Sequence, residues 1–126
     1  MPLDDPEVLV PDDEILWRRL GPRDIVPEGS GYRVSSGAFR TDHPDGVSVH
    51  RQKLTDEATI LRLHPRVGIA EISVAQVKEV EGLRVVAAPI EDDPSHALIQ
   101  PLPKSSKPQK LAVRARVVRL PDTLRP

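Results

Sequence analysis

Within the twenty residues Gly31 to His50 the chain carries paired serines, two arginines and two histidines, most of them in the runs Gly31-Tyr-Arg-Val-Ser-Ser-Gly-Ala-Phe-Arg40 and Val47-Ser-Val-His50. A serine becomes reactive only when a neighbouring imidazole takes its proton. Ser35 and Ser36, with His50 or His96 as base, are therefore the candidate nucleophiles, although no nucleophile elbow accompanies them. Trp17-Arg18-Arg19 offers a different chemistry. An arginine on an otherwise apolar strand is costly to bury unless an anion, a carboxylate or a set of carbonyls receives its fork of donors. In one reading Arg18 and Arg19 alternate, one facing water and the other pairing with an acid such as Glu28 or Asp24. In the other, Arg18 grips an anion. The candidate catalytic residues are then Arg18, Ser36, His50 and His96, and the candidate ligand-binding residues are Arg18, Arg33 and Ser35.

The remaining signals exclude more than they suggest. His43, His50, His64 and His96 are dispersed, and no two form a close-spaced ligand pair. Asp42-His43 with Asp45 suits a turn as well as it suits a cation. No metal is expected. Gly29-Ser-Gly31 lacks the third glycine and the strand–helix setting of a dinucleotide fingerprint, and there is no Walker loop, so the residues by themselves call for no cofactor.

At 126 residues the chain fits one domain, about 14 Å in radius of gyration. Its core must be aliphatic, because Trp17, Tyr32 and Phe39 are its only aromatics, and these three rings are expected to be its largest anchors. Fourteen prolines limit the length of any helix. The absence of cysteine and an acidic N-terminus without an apolar run point to a cytoplasmic protein with no membrane segment. A net charge of −1 hides six acids before residue 18 and seven bases after residue 103, so the two ends are complementary. No aromatic interleaves the basic end, so specific nucleic-acid binding is not expected.

Several elements are legible. Residues 1–13 read as an acidic, proline-rich leader, residues 14–120 as a single α+β domain and residues 121–126 as a tail. Glu14 to Leu20 reads as a strand. Tyr32 to Phe39 and Val47 to Arg51 read as a hairpin around Pro44-Asp45-Gly46. Thr55 caps a helix that must stop by His64, since Pro65 disfavours helical geometry before it. Val67 to Ile72 is a strand. Ser73-Val-Ala-Gln76 is a capping box with Ile72 and Val77 as its hydrophobic staple, opening a helix that ends at Gly82. Two strands follow, Leu83 to Ala88 and His96 to Gln100, then a helix over roughly 107–115 that gives way to an extended tail. The order predicts a mixed or antiparallel sheet with two or three short helices.

Leu16-Trp-Arg-Arg19, Arg33-Val-Ser-Ser-Gly-Ala-Phe39, Gly82-Leu-Arg-Val-Val86 and Asp93-Pro-Ser-His-Ala-Leu-Ile99 together resemble a set of small uncharacterised bacterial proteins. Leu16-Trp17-Arg18 and Gly31-Tyr32-Arg33 also resemble the opening motifs of RES-type NAD-degrading toxins. That second resemblance implies an ADP-ribosyltransferase-like fold acting on NAD, with Arg18 gripping a phosphate and Ser36 and His50 lining the nicotinamide end. The family's tyrosine falls near His50, and its later glutamate has a counterpart only if Glu71 serves. Two functions follow as expectations. The first is a non-enzymatic bacterial accessory protein that binds a partner protein or a small anionic ligand; the alternative is an NAD-handling enzyme.

Overall fold

The computed structural model describes residues 8–41 and 43–124. Along the chain come strands β1 (Ile15–Leu20), β2 (Ile25–Glu28), β3 (Gly31–Val34) and β4 (Val47–Arg51), helix α1 (Glu57–Leu63), strand β5 (Gly68–Ser73) and helix α2 (Val74–Lys78). Strands β6 (Arg84–Ala87) and β7 (His96–Gln100), helix α3 (Lys107–Arg114) and strand β8 (Arg116–Arg119) complete the set. Six strands form one sheet in the order β6-β7-β4-β1-β5-β8, and every neighbouring pair is antiparallel. Strands β2 and β3 make a separate hairpin. The fold is α+β, as the element order predicts.

Side chains alternate across a strand, so each strand of the large sheet contributes to two different environments. Leu16 and Leu20 of β1, Val47 and Val49 of β4, Ile72 of β5 and Ala97 and Ile99 of β7 are all at most 1% exposed and belong to one core. That core is completed by Val74 and Val77 of α2, Leu111 and Ala112 of α3, and Ala38 and Phe39. On the opposite face the register sets Trp17 against His50 and Glu71, and His50 against His96. This second face is covered only in part, by α1 and the β6–β7 loop.

The capping box forms as predicted: the Gln76 amide donates to Ser73 Oγ at 3.0 Å and the Ser73 amide donates to Gln76 Oε1 at 2.9 Å. Ile72 and Val77 of the staple are both buried. Helix α2 nevertheless ends at Lys78, and Gly82, with φ of +83°, serves a later turn. Helix α1 stops before His64 as expected, but its N-cap is Asp56, which accepts from the Thr59 amide at 2.7 Å, rather than Thr55. The expected hairpin of Tyr32–Phe39 with Val47–Arg51 does not form. Strand β3 pairs instead with β2 across Gly29, whose φ of +60° suits a tight turn. Ser36–Phe39 is a single 3₁₀ turn, which buries the consecutive Ala38 and Phe39 together.

Four further expectations are corrected. Residues 8–13 of the leader are not loose: the Ala87 amide donates to Val8 O and the Val10 amide to Val85 O along the β6 edge, and Val10 is in the core. Residues 1–7, with the rest of that leader, and residues 125–126 of the tail lie outside the described residues. The extended end of the chain is no free tail, since β8 pairs with β5. Of the three aromatic anchors only Phe39 is fully buried, while Trp17 is half-buried on the second face and Tyr32 is exposed. Among the described residues the basic end pairs not with the acidic start but with mid-chain acids, Arg114 with Glu79, Arg116 with Glu71 and Arg119 with Glu57.

Candidate functional site

Arg18 and Arg19 alternate, and the structure separates their roles. Arg18 lies on the core side, where its Nε donates to Ala38 O at 2.8 Å and its Nη1 to Ser48 O at 2.9 Å. The reason lies in the ladder. Strands β1 and β4 are paired only at Leu16–Arg51 and Trp17–His50, so beyond that point the Ser48 carbonyl has no strand donor from β1, and the guanidinium supplies one. Burial lowers the pKa of Arg18, opposed by the charge of Asp24 and reinforced by that of Arg19. Its receiving groups are therefore carbonyls rather than an external anion or an acid. Arg18 and His50 stand on opposite faces of the sheet, so the expected cleft of Arg18, Ser36 and His50 is not formed.

The other expected ligand residues lie elsewhere too. Arg33 pairs with Glu28 at 3.1 Å in an exposed bridge across the β2–β3 hairpin. Ser35 donates to the Arg23 carbonyl, and Ser36 opens the 3₁₀ turn that buries Phe39. Neither serine bonds a histidine. Asp42, part of the turn considered for a cation, lies outside the described residues. Among the described residues no group of three His, Asp or Glu side chains is arranged to hold a metal ion.

What the structure does bring together is His50 and His96, directly opposite one another on β4 and β7. His50 Nδ1 lies 2.9 Å from Asp93 Oδ2 and 3.2 Å from Ser95 Oγ. A carboxylate only accepts, so Nδ1 carries the proton and Nε2 presents a lone pair, to which no described residue bonds. Ser95 gives its own hydrogen to Asp93 Oδ1 in a short bond, and its amide donates to the same oxygen at 3.0 Å. His96 is fixed in the same way from another partner. Its Nδ1 donates to Ala88 O at 2.8 Å, which leaves Nε2 to accept from Ser48 Oγ at 3.0 Å.

His50, Asp93 and His96 line a cavity of about 290 Å³, together with Arg19 and His64, and with Leu63 and Ile90 at its apolar side. The β6–β7 loop delivers Asp93 because Ile90 and Asp93 exchange both backbone bonds, a tight turn around Glu91-Asp92, and because the Arg51 amide of β4 donates to Ser95 O. Helix α1 delivers His64 at its C-cap. Arg19 Nη1 lies 2.9 and 3.0 Å from the two ring nitrogens of His64, so it addresses the ring as a whole rather than one lone pair.

Burial sets the electrostatics. It pushes His50 below the ordinary imidazole range; Asp93 works against it, and the charges of Arg19 and His96 work with it. His64 is lowered by burial and then by Arg19. Burial also raises Asp93, but the Ser95 hydroxyl, His50, the Ser95 amide and His96 outweigh it and hold the carboxyl below its ordinary range. Arg19 is lowered by burial, and Asp93 is the charge that opposes this. The site thus combines neutral imidazoles, one ionised carboxylate already engaged, and one guanidinium.

Sequence reasoning singled out His50 and His96 but missed Arg19, Ser48, His64, Asp93 and Ser95. Two signals for them exist. Ser48 and His50 are two apart on a strand and so share a face, and Asp93-Pro-Ser95-His96 is an Asx turn feeding directly into a strand. No protein-family model, curated protein or solved structure matches the chain. No helix among the described residues is long and apolar enough to cross a membrane.

Proposed function

We propose that the protein binds a small anionic ligand in this pocket, with Arg19 as its principal contact. The observation that carries this is the state of Arg19. A guanidinium has five N–H donors, yet Arg19 directs only Nη1 at a described residue, the His64 ring, and forms no ion pair among them. The carboxylate whose charge opposes its burial, Asp93, is already occupied by His50 and Ser95. A half-buried cation with spare donors on a concave wall favours a ligand that brings its own negative charge. Leu54, Leu63 and Ile90, 44%, 57% and 56% exposed, supply an apolar rim for the rest of such a molecule. A concave pocket of this size favours the small-ligand form of the reading over a partner protein.

Titration calorimetry with inorganic phosphate and with phenyl phosphate tests it. Binding of both is expected, tighter for the phenyl ester because of the rim. Arg19→Gln weakens both by at least about tenfold, the loss of one charge-assisted pair. Equal affinity in wild type and Arg19→Gln, or no heat with either anion, contradicts the proposal.

A further inference from the structure

We propose that the pocket is also catalytic, with Ser48 as a nucleophile toward small anionic esters and His96 as its base. The inference rests on the anion reading only for the charge of the substrate; the nucleophile stands on its own geometry. Three groups are in sequence: Ser48 Oγ donates to His96 Nε2 at 3.0 Å, and His96 Nδ1 is held by Ala88 O at 2.8 Å. A nucleophile, a base within hydrogen-bond reach and a third group that fixes the base are what activation of a hydroxyl requires. The expectation that a serine needs a neighbouring imidazole is thus met, by Ser48 rather than by Ser35 or Ser36. Ser95, the other serine beside a histidine, is disqualified because it is fully buried and its hydrogen is committed to Asp93.

Ser48 is half-buried and lies on the same face of β4 as His50, since Val47 and Val49 on either side of it are in the core. It stands behind the cavity wall and meets it through His96, which is part of the lining. Its backbone is held from the side by Arg18. Continued two residues beyond Trp17–His50, the register would set Arg19 opposite Ser48 across the seam where β1 and β4 part. Arg19 and Ser48 thus share one face of neighbouring strands, and a substrate with its anionic group on Arg19 would extend its ester toward Ser48. In the first step the Ser48 hydroxyl proton passes to His96 Nε2 as Oγ bonds to the carbonyl carbon. The bond from that carbon to the alcohol oxygen breaks, and the departing oxygen takes the proton from His96. In the second, a water gives its proton to the same nitrogen and bonds to the acyl carbon; the bond to Oγ breaks, and Oγ recovers the proton. The net change is ester plus water to acid plus alcohol. His50 Nε2, free and on the cavity wall, can hold the entering water.

The test uses the full chain and a neutral alkyl fluorophosphonate, followed by mass spectrometry of the Ser48 peptide. An adduct at Ser48 is expected, absent in Ser48→Ala and formed about 100-fold more slowly in His96→Asn, the scale of a lost general base. Arg19→Gln is expected to lower hydrolysis of p-nitrophenyl hemisuccinate relative to p-nitrophenyl acetate. If labelling is as expected but Arg19→Gln changes neither ester, the anion reading fails and the nucleophile stands. Should His96→Asn unfold, Ser48→Cys supplies an independent measurement, because the native chain has no cysteine and the introduced thiol is alone. Its alkylation by iodoacetamide is expected to be at least about tenfold faster than that of a free cysteine derivative, through the imidazole pair. No adduct at Ser48, equal labelling with and without His96, or an unaccelerated thiol overturns the proposal.

Discussion

The two faces of the large sheet are made by alternate residues of the same strands, yet they solve opposite problems. On one, Leu16, Leu20, Val47, Val49, Ala97 and Ile99 meet α2, α3 and the Phe39 turn and are almost completely enclosed. On the other, Trp17, Arg19, Ser48, His50 and His96 come from the neighbouring positions of β1, β4 and β7 and are tied to one another, to Glu71, to His64 at the end of α1, or to the loop carrying Asp93. Apolar burial is non-directional and supplies most of the stability. Buried polar groups need specific partners and return little net energy. The difference teaches that the first face holds the fold together and leaves the second free to carry a costly but specific arrangement of imidazoles, carboxylate and guanidinium.

The comparison breaks most readily at the two large rings. Phe39→Ala empties the centre of the core and is expected to cost about 3–5 kcal/mol. Trp17→Ala, on the polar face, removes a half-buried ring and a 3.2 Å bond to Glu71, and is expected to cost clearly less, about 1–2 kcal/mol. Chemical denaturation of both variants checks the order, and a larger loss at Trp17 would mean that the faces have been assigned the wrong roles. Ser73→Ala removes the Oγ that caps α2, on the core side, and is expected to lower stability by about 1 kcal/mol without altering the pocket; an unchanged denaturation midpoint would remove the cap from the account.

A pH series sharpens the contrast further. His50 and His64 have native pKa values below the ordinary 6.5, so as pH falls through about 6.5 the unfolded chain takes up protons that the native chain refuses. Their contribution is thus fully present above that value and declines below it, until the native imidazoles also protonate. The Asp93 and Glu14 carboxyls are depressed, so their contribution holds above about 4 and is lost as pH falls through their native values. His50→Gln is expected to flatten the first phase and, by removing one of the groups that depress Asp93, to reduce the second less, as followed by denaturation midpoints between pH 8 and pH 3. A first phase that persists unchanged would remove His50 from the buried neutral site.

Much of this was legible and some could not be. The Ser73 box, the stop at His64 and the strand His96–Gln100 follow from local chemistry, because caps, proline and alternation act within a few residues. Pairing partners were not legible, since β4 joins β1 and β7 through contacts far apart in sequence. The choice between Arg18 and Arg19 shows the limit most plainly. Alternation says that the two point opposite ways, but which one meets open carbonyls depends on where the β1–β4 ladder stops, and a one-residue change of register exchanges the faces. Ser48 and Asp93 escaped notice for a related reason: each becomes a site residue only when its strand or loop is set beside another.

The neighbouring arginines therefore test the central claim most directly. Arg18→Gln and Arg19→Gln are compared in one experiment, the denaturation midpoint with and without saturating phenyl phosphate. Arg18→Gln is expected to lose about 1–3 kcal/mol, because the carbonyls of Ala38 and Ser48 lose their charged donor, and to keep most of the stabilisation by the anion. Arg19→Gln is expected to keep its stability in the absence of the anion and to lose the stabilisation. The reverse pattern, with Arg18 governing the anion and Arg19 the fold, would contradict the division of the sheet into a supporting face and a binding face.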